Sequence, residues 1–169
     1  MWHKEFSNFH LPSEHPGITH ELMCYPTVEH FFAAMKTLDI SDRFRIAQAG
    51  HPAEAKKIGT QVKLRPDWRD VRRSVSWYGL QQKFGNDINL ANLLIDTDDA
   101  EIIHRVHWHD NFWAACQCSS CANKTKQNVL GEQLMKLRSL LVERGFDNIH
   151  DGLKPLRKSY FGTPCNIAA

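Results

Sequence analysis

The sequence has 169 residues, with 21 Lys+Arg against 19 Asp+Glu and a formal net charge of +2. At 42% hydrophobic and 24% charged residues the chain is neither disordered overall nor a polybasic nucleic-acid coater. Uninterrupted apolar runs such as Phe31 to Met35 are far too short to cross a bilayer, and Met1-Trp2-His3-Lys4-Glu5 lacks the basic-then-apolar layout of a secretory signal. Together with an odd number of cysteines, five, this leads us to expect a soluble, cytoplasmic protein rather than a secreted disulfide scaffold.

Helical patterns dominate in chain order. Thr27 is a candidate N-cap for a helix carrying Val28, Phe31, Phe32, Met35 and Leu38. Ser41 or Asp42 opens a second helix that Gly50 should stop, and Pro52 and Gly59 bracket a short third. Asp67 caps a longer fourth through Val71, Val75, Tyr78 and Phe84, ending at Gly85. Asn86 or Asp87 opens a fifth across Leu90, Leu93 and Leu94; a last runs from about Val129 to Arg144 before Gly145. Extended structure is expected at 4–11, 62–64 and 101–107, with an irregular segment at 110–127. The fold class is mainly α, an α+β arrangement with a few short strands. The main domain is expected over 1–145, with 146–169 as a C-terminal extension packed on it or trailing from it.

Charge is uneven. Residues 41–73 carry nine Lys/Arg against four acids, a local +5. Most such side chains form a solvated helix face; the functional alternative is a rim that recruits a phosphorylated ligand.

Three groups of residues have chemical potential. Glu29 and Lys36, seven residues apart, fall two turns apart on nearly one helix face, flanking Phe32 and Ala33. An ordinary surface pair is the plain explanation, although seven apart is not the spacing of direct i,i+4 partners. Tryptophans at 68, 77, 108 and 113 are the second group. Most tryptophans serve cores, but Trp113 lies in the polar run His109-Asp110-Asn111-Phe112-Trp113, where a ring can stack on a base and Asp110 is a candidate acid–base. The third is Cys116-x-Cys118-x-x-Cys121. Free thiols in a loop are the plain alternative; a structural zinc is the candidate cofactor, with His109 as candidate fourth ligand. A glycine-rich phosphate loop, His-Glu-x-x-His and Gly-x-Ser-x-Gly are all missing.

Several segments taken together resemble the NADAR (YbiA-like) family. They are Phe6-Ser7-Asn8-Phe9; Tyr25-Pro26-Thr27-Val28-Glu29-His30-Phe31-Phe32 with Ala34 and Lys36; and Pro52 to Gly59. Leu64-Arg65-Pro66-Asp67-Trp68, Lys83-Phe84, Leu93-Leu94 with Thr97, Asp110 to Trp113, and Asn128-x-Leu130-Gly131 to Arg138 follow in order. The resemblance implies a mainly helical fold without a redox cofactor. It also implies an N-glycosidase for ribose-linked substrates: phosphoribosylated riboflavin-pathway intermediates, or ADP-ribosyl-guanine in DNA or RNA. Glu29, Lys36, Trp68, Lys83, Asp110, Trp113 and Asn128 occupy positions that the family motifs retain, and Ser7 and Asn8 match its N-terminal signature. The chain departs from the family at His104, Ala114, Lys126 and Ala33, where Glu, Gly, Gly and Gln are usual.

Glu29, Lys36 and Asp110 are therefore the catalytic candidates. Ser7, Asn8, Phe32, Arg65, Trp68, Lys83, Trp113 and Asn128 are the substrate-binding ones. Cleavage builds positive charge on the sugar, which Glu29 or Asp110 would stabilise. Trp68 and Trp113 would stack on the base, Ser7 and Asn8 would bond ribose or phosphate, and Arg65 would pair with phosphate. A desolvated Lys36 offers a covalent route through a Schiff base. The expected partner is an ADP-ribose- or ribose-phosphate-containing substrate, with no membrane. Two other classes stay open: a binding module with weakened catalysis, and a zinc-stapled nucleic-acid adaptor using the 41–73 face.

Overall fold

The computed structural model describes residues 2–11 and 17–148. Six α-helices and two two-stranded sheets are formed among them. The mainly α expectation holds, and no helix is long and apolar enough to cross a membrane. By contact density the described chain forms two units, residues 7–87 and residues 2–6 with 88–148. Most of the expected C-terminal extension lies outside the described residues.

In the unit 7–87, α1 (Val28–Ala34) is the central element, packed by α2 (Ile40–Ala47), α3 (Pro52–Ile58) and α4 (Trp68–Gly85). Six of its seven residues are buried. Thr27 caps it as expected, its hydroxyl accepting from the His30 amide. The imidazole of His30 then spans from the Thr27 hydroxyl, 2.8 Å away, to the Ala49 carbonyl, 3.1 Å away. Phe31, Ala33, Ala34 and Met35 join Ile46, Ala55, Trp68 and Val75 in one core.

The helix stops earlier than its apolar stripe suggests. Beyond Met35 the chain tightens, and the Lys36 and Thr37 carbonyls turn to distant donors, the Arg65 amide at 2.7 Å and Arg43 Nε at 2.9 Å. Lys36 therefore sits in a turn just past α1. Further along, Asp39 caps α2 in place of Ser41 or Asp42, and the His51 ring caps α3 ahead of Pro52. Asp67 precedes α4 without a side-chain cap because Arg65 engages its carboxylate.

The extended segments need correction. Residues 4–11 form a 3-10 turn at Lys4–Phe6 and then a tight turn, in which the Phe9 amide donates to the Ser7 hydroxyl. Residues 62–64 form no strand. Instead β1 (Ile18–His20) and β2 (Met23–Tyr25) make an antiparallel hairpin. Its two-residue loop, Glu21-Leu22, has both φ angles positive, the mirror-image turn that matches strand twist.

In the other unit, α5 (Ile88–Ile95) packs on α6 (Val129–Arg144). Leu90, Leu94, Leu134, Leu137 and Leu141 are buried there. Of 101–107 only β3 (Arg105–Val106) is a strand, paired in parallel with β4 (Ala115–Cys116) inside the cysteine-rich segment.

Gly59 sets the approach of α3 to α1: a Cβ there would lie 2.8 Å from Ala33 Cβ and 3.2 Å from Ala33 Cα. Gly59→Ala should destabilise the protein by about 1–3 kcal/mol. Gly50→Ala, whose new methyl would meet nothing closer than 3.9 Å, should leave the urea midpoint nearly unchanged. Equal midpoints for the two variants would contradict this packing.

Candidate active site

The unit 7–87 gathers most of the candidate residues around α1. Asn8 supplies the first link, its carbonyl accepting from the Glu29 amide at 2.9 Å. Lys83, 2% exposed on α4, donates from Nζ to the Ser7 carbonyl at 2.9 Å and so braces the same turn. A buried amine thus holds the Ser7–Asn8 backbone against α1. Lys83 also borders a cavity of about 10 Å³ with Thr27 and Val28, room for one water and no more. The Asn8 Oδ1 atom is buried without a hydrogen-bond donor among the described residues.

Glu29 is 7% exposed and makes no salt bridge among the described residues. Burial pushes its carboxyl above the ordinary value, opposed by the charges of Lys56 and, next, Lys36. Lys36 is half-buried, with Nζ 5.8 Å from the Phe32 ring centre. Burial lowers its amine below the ordinary value; the Glu29 charge works against that shift and Lys56 adds to it. Helix and turn thus present an acid and an amine, each held away from water.

The aromatic wall follows in the same unit. Phe32 meets Trp68 edge-on at 5.0 Å between ring centres. Trp68 opens α4 three residues after Arg65, whose backbone is tied to Lys36. Arg65 Nε and Nη2 grip both oxygens of Asp67, at 2.6 and 2.8 Å. Any anion it takes must therefore share the guanidinium with Asp67.

The remaining three candidates belong to the other unit. Asp110 Oδ1 accepts from the Phe112 and Trp113 amides at 3.0 and 2.8 Å, closing an Asx turn. The Phe112 and Trp113 carbonyls accept from Val129 and Leu130, satisfying amides at the start of α6 that have no partner within the helix. Trp113 stands edge-on to Phe112 at 4.9 Å. Asn128, in a left-handed conformation with φ 48, accepts from the His104 amide and donates to the Ile102 carbonyl. Gly131 makes room for that clamp: a Cβ there would lie 2.1 Å from the Ile102 carbonyl oxygen and 2.3 Å from Asn128 Nδ2. Asp110 and Asn128 thus hold backbone in place with their side chains. In the same unit, His109, Cys116, Cys118 and Cys121 bring one ligand atom each to within 4.8 Å of one another.

Sequence reasoning missed Lys56. It counted as one charge among nine in the basic segment, yet on α3 it is the strongest charge acting on Glu29. Its Nζ also lies 5.6 Å from the Phe9 ring. Phe9 falls within the quoted N-terminal motif and Lys56 within the 52–59 motif; their meeting depends on α3 docking against α1.

The profile of the NADAR domain matches residues 2–142. The chain belongs to the NADAR family. N-glycosidase YbiA of Shigella boydii is 32% identical over 141 residues, covering 82% of this chain and 81% of that protein. A riboflavin biosynthesis protein of Vibrio vulnificus is 28% identical over 152 residues; the match takes in 83% of this chain but only 40% of the relative. The NMR structure of Escherichia coli YbiA superposes with a TM-score of 0.69 at 30% identity, covering 82% of this chain and 78% of that one. Two of this chain's departures from the family motifs, Ala33 and Ala114, are fully buried positions.

Carbon-detected NMR of the Glu29 carboxyl should find it titrating above the usual carboxylate range. Lys56→Met removes a charge that favours the ionised form, so the midpoint should rise further; Lys36→Met should raise it too, by less. A midpoint at the ordinary glutamate value in the wild type would contradict the burial described.

Proposed function

We propose that this chain is an N-glycosidase that hydrolyses the bond between ribose C1 and a nitrogen of the leaving group. The substrate is an ADP-ribosylated or phosphoribosylated compound, with ADP-ribosyl-guanine in nucleic acid and riboflavin-pathway intermediates as the leading cases. The observation that carries this reading is the pairing of a buried Glu29, without a salt bridge among the described residues, with a desolvated Lys36 beside the Phe32–Trp68 wall.

As the C–N bond lengthens, positive charge grows on the sugar ring. The Glu29 carboxylate stabilises that charge more strongly in a partly dry site than it would in water. Trp68 and Phe32 hold the flat leaving group, and Asn8 Oδ1 accepts from a ribose hydroxyl. Arg65, oriented by Asp67, attracts phosphate, and Lys83 keeps the Ser7–Asn8 turn in position. In the other unit, Asp110 and Asn128 act through the backbone they hold, and the Trp113 ring is itself able to stack on a base. In the direct route, Glu29 orients a water that attacks C1. In the covalent route the neutral Lys36 amine attacks C1 and the leaving nitrogen departs with the bond pair and takes up a proton. The sugar ring then opens to a Schiff base, and water releases the sugar and regenerates the amine. A lowered Lys36 pKa raises the fraction of neutral amine near neutrality, which favours the second route. No redox cofactor takes part. The thiol cluster at 109–121 is read as a metal-holding element outside this chemistry.

Two measurements test the assignment. Incubation with ADP-ribosylated guanosine and borohydride should leave a sugar adduct that peptide mass spectrometry maps to Lys36; turnover without such an adduct leaves only the direct route. Glu29→Gln should lower turnover by about 10²–10⁴-fold. The same substitution should raise the thermal midpoint at neutral pH. A carboxyl whose folded pKa exceeds its unfolded value contributes stability at low pH and loses it as pH climbs through the folded pKa, so ionised Glu29 weakens the fold. Near-normal turnover in Glu29→Gln would overturn the role given to it, and ligand binding without release by the wild type would make the chain a binding module.

A further inference from the structure

We propose that His109, Cys116, Cys118 and Cys121 bind one zinc ion as a closed structural clasp, and that this clasp fixes the Asp110–Trp113 loop. The proposal stands apart from the glycosidase reading and uses no part of it.

The four ligand atoms converge to within 4.8 Å of one another, close enough for small side-chain shifts to place them around one tetrahedral ion. Cys118 Sγ lies 3.2 Å from His109 Nδ1, Cys121 Sγ lies 3.5 Å from the same nitrogen, and Cys116 Sγ lies 3.3 Å from Cys118 Sγ. Zinc with Zn–S of about 2.3 Å and Zn–N of about 2.0–2.1 Å needs tetrahedral edges of roughly 3.5–3.8 Å. The three thiols are free, and a sulfur pair 3.3 Å apart is well beyond the roughly 2.05 Å of a disulfide. Three sulfurs and one imidazole around a single centre form a donor set that suits zinc, and four protein ligands leave no open position for catalysis.

Local structure is bent to this end. His109 has φ 65, a left-handed conformation that a non-glycine residue adopts at a cost, and its ring reaches the sulfurs from there. Its amide donates to Cys116 Sγ at 3.3 Å, and Asn111 Oδ1 accepts from the Cys116 amide at 3.3 Å. Such outer contacts are what orient metal ligands and tune their charge. The apolar core beside them is small: Val106, Ala114, Cys116 and Cys121, with Cys118 packed against it. One valine, one alanine and three cysteines provide little burial energy, and a metal supplies what such a core lacks. On binding, each cysteine gives its proton to solvent and the neutral imidazole binds through Nδ1, so the site carries a net charge of −1.

The clasp has a consequence for its neighbours. His109 and Cys116 bracket residues 110–115, and one ion bound to both shortens that span to a closed loop. Asp110 and Trp113 lie inside it, so the metal acts on them as a positioning site.

The test uses the full-length protein, purified without chelator and analysed by mass spectrometry for metals. We expect about one zinc per chain, with three sulfurs and one nitrogen in its X-ray absorption spectrum. Cys118→Ser and His109→Ala should each lower the zinc content, and Asn111→Ala should weaken zinc binding by about 10–100-fold. Removing the metal with a thiol-selective mercurial and then reducing the protein should speed amide exchange in peptides covering 109–122 and leave those covering 28–36 as before. Wild-type protein that stays metal-free after reduction and zinc addition, with its cluster thiols open to Ellman's reagent, would overturn the proposal. So would iron in place of zinc, or zinc whose removal leaves exchange at 109–122 unchanged. None of these readouts involves catalysis, so a glycosidase without zinc and a zinc protein without glycosidase activity are told apart.

Discussion

Placing a carboxylate inside the most enclosed helix of its unit is the constraint on which the candidate site depends. Helix α1 buries six of seven residues, and a helix enclosed on nearly all sides is ordinarily apolar all round. Glu29 breaks that rule. Its side chain forgoes water without a salt bridge among the described residues, and the two lysines that favour its charge act from beyond salt-bridge distance. Neighbouring parts then serve to hold this arrangement: the Asn8 carbonyl on the Glu29 amide, Lys83 under the Ser7 turn, and Gly59 letting α3 close on Ala33. A group that costs the fold and is nevertheless anchored from several directions is the usual mark of a site where stability has been exchanged for chemistry.

Much of this was legible along the chain, and the exceptions have physical causes. Thr27 announced the start of α1 because capping is local chemistry. Its end was hidden, since distant donors, the Arg65 amide and Arg43 Nε, take the Lys36 and Thr37 carbonyls. The β1–β2 hairpin went unseen because its turn is Glu21-Leu22, without the Asn-Gly or Asp-Gly signal that such loops carry. Lys56 looked like one more solvated charge until α3 docked. In the cysteine segment the thiol spacing was readable, whereas the left-handed backbone that brings in His109 was not.

Asp110 and Asn128 show a different kind of ambiguity. Both are residue types expected of a sugar-binding site, and both spend their side chains on backbone amides and carbonyls. Asn and Asp suit ligands and turns for the same reason, a short polar arm that reaches the main chain, so sequence type alone does not separate the two uses. The family departures divide similarly. Ala33 and Ala114 are interior positions, where a change of residue concerns packing before it concerns substrate.

The bond between the Arg65 amide and the Lys36 carbonyl, 2.7 Å long, runs from main chain to main chain. It is therefore indifferent to the side chain at either position, proline at 65 excepted. The side chain at 65 can therefore change while Lys36 keeps its place. Under the role proposed for Arg65, substrate preference is free to drift from one lineage to another without Lys36 having to move.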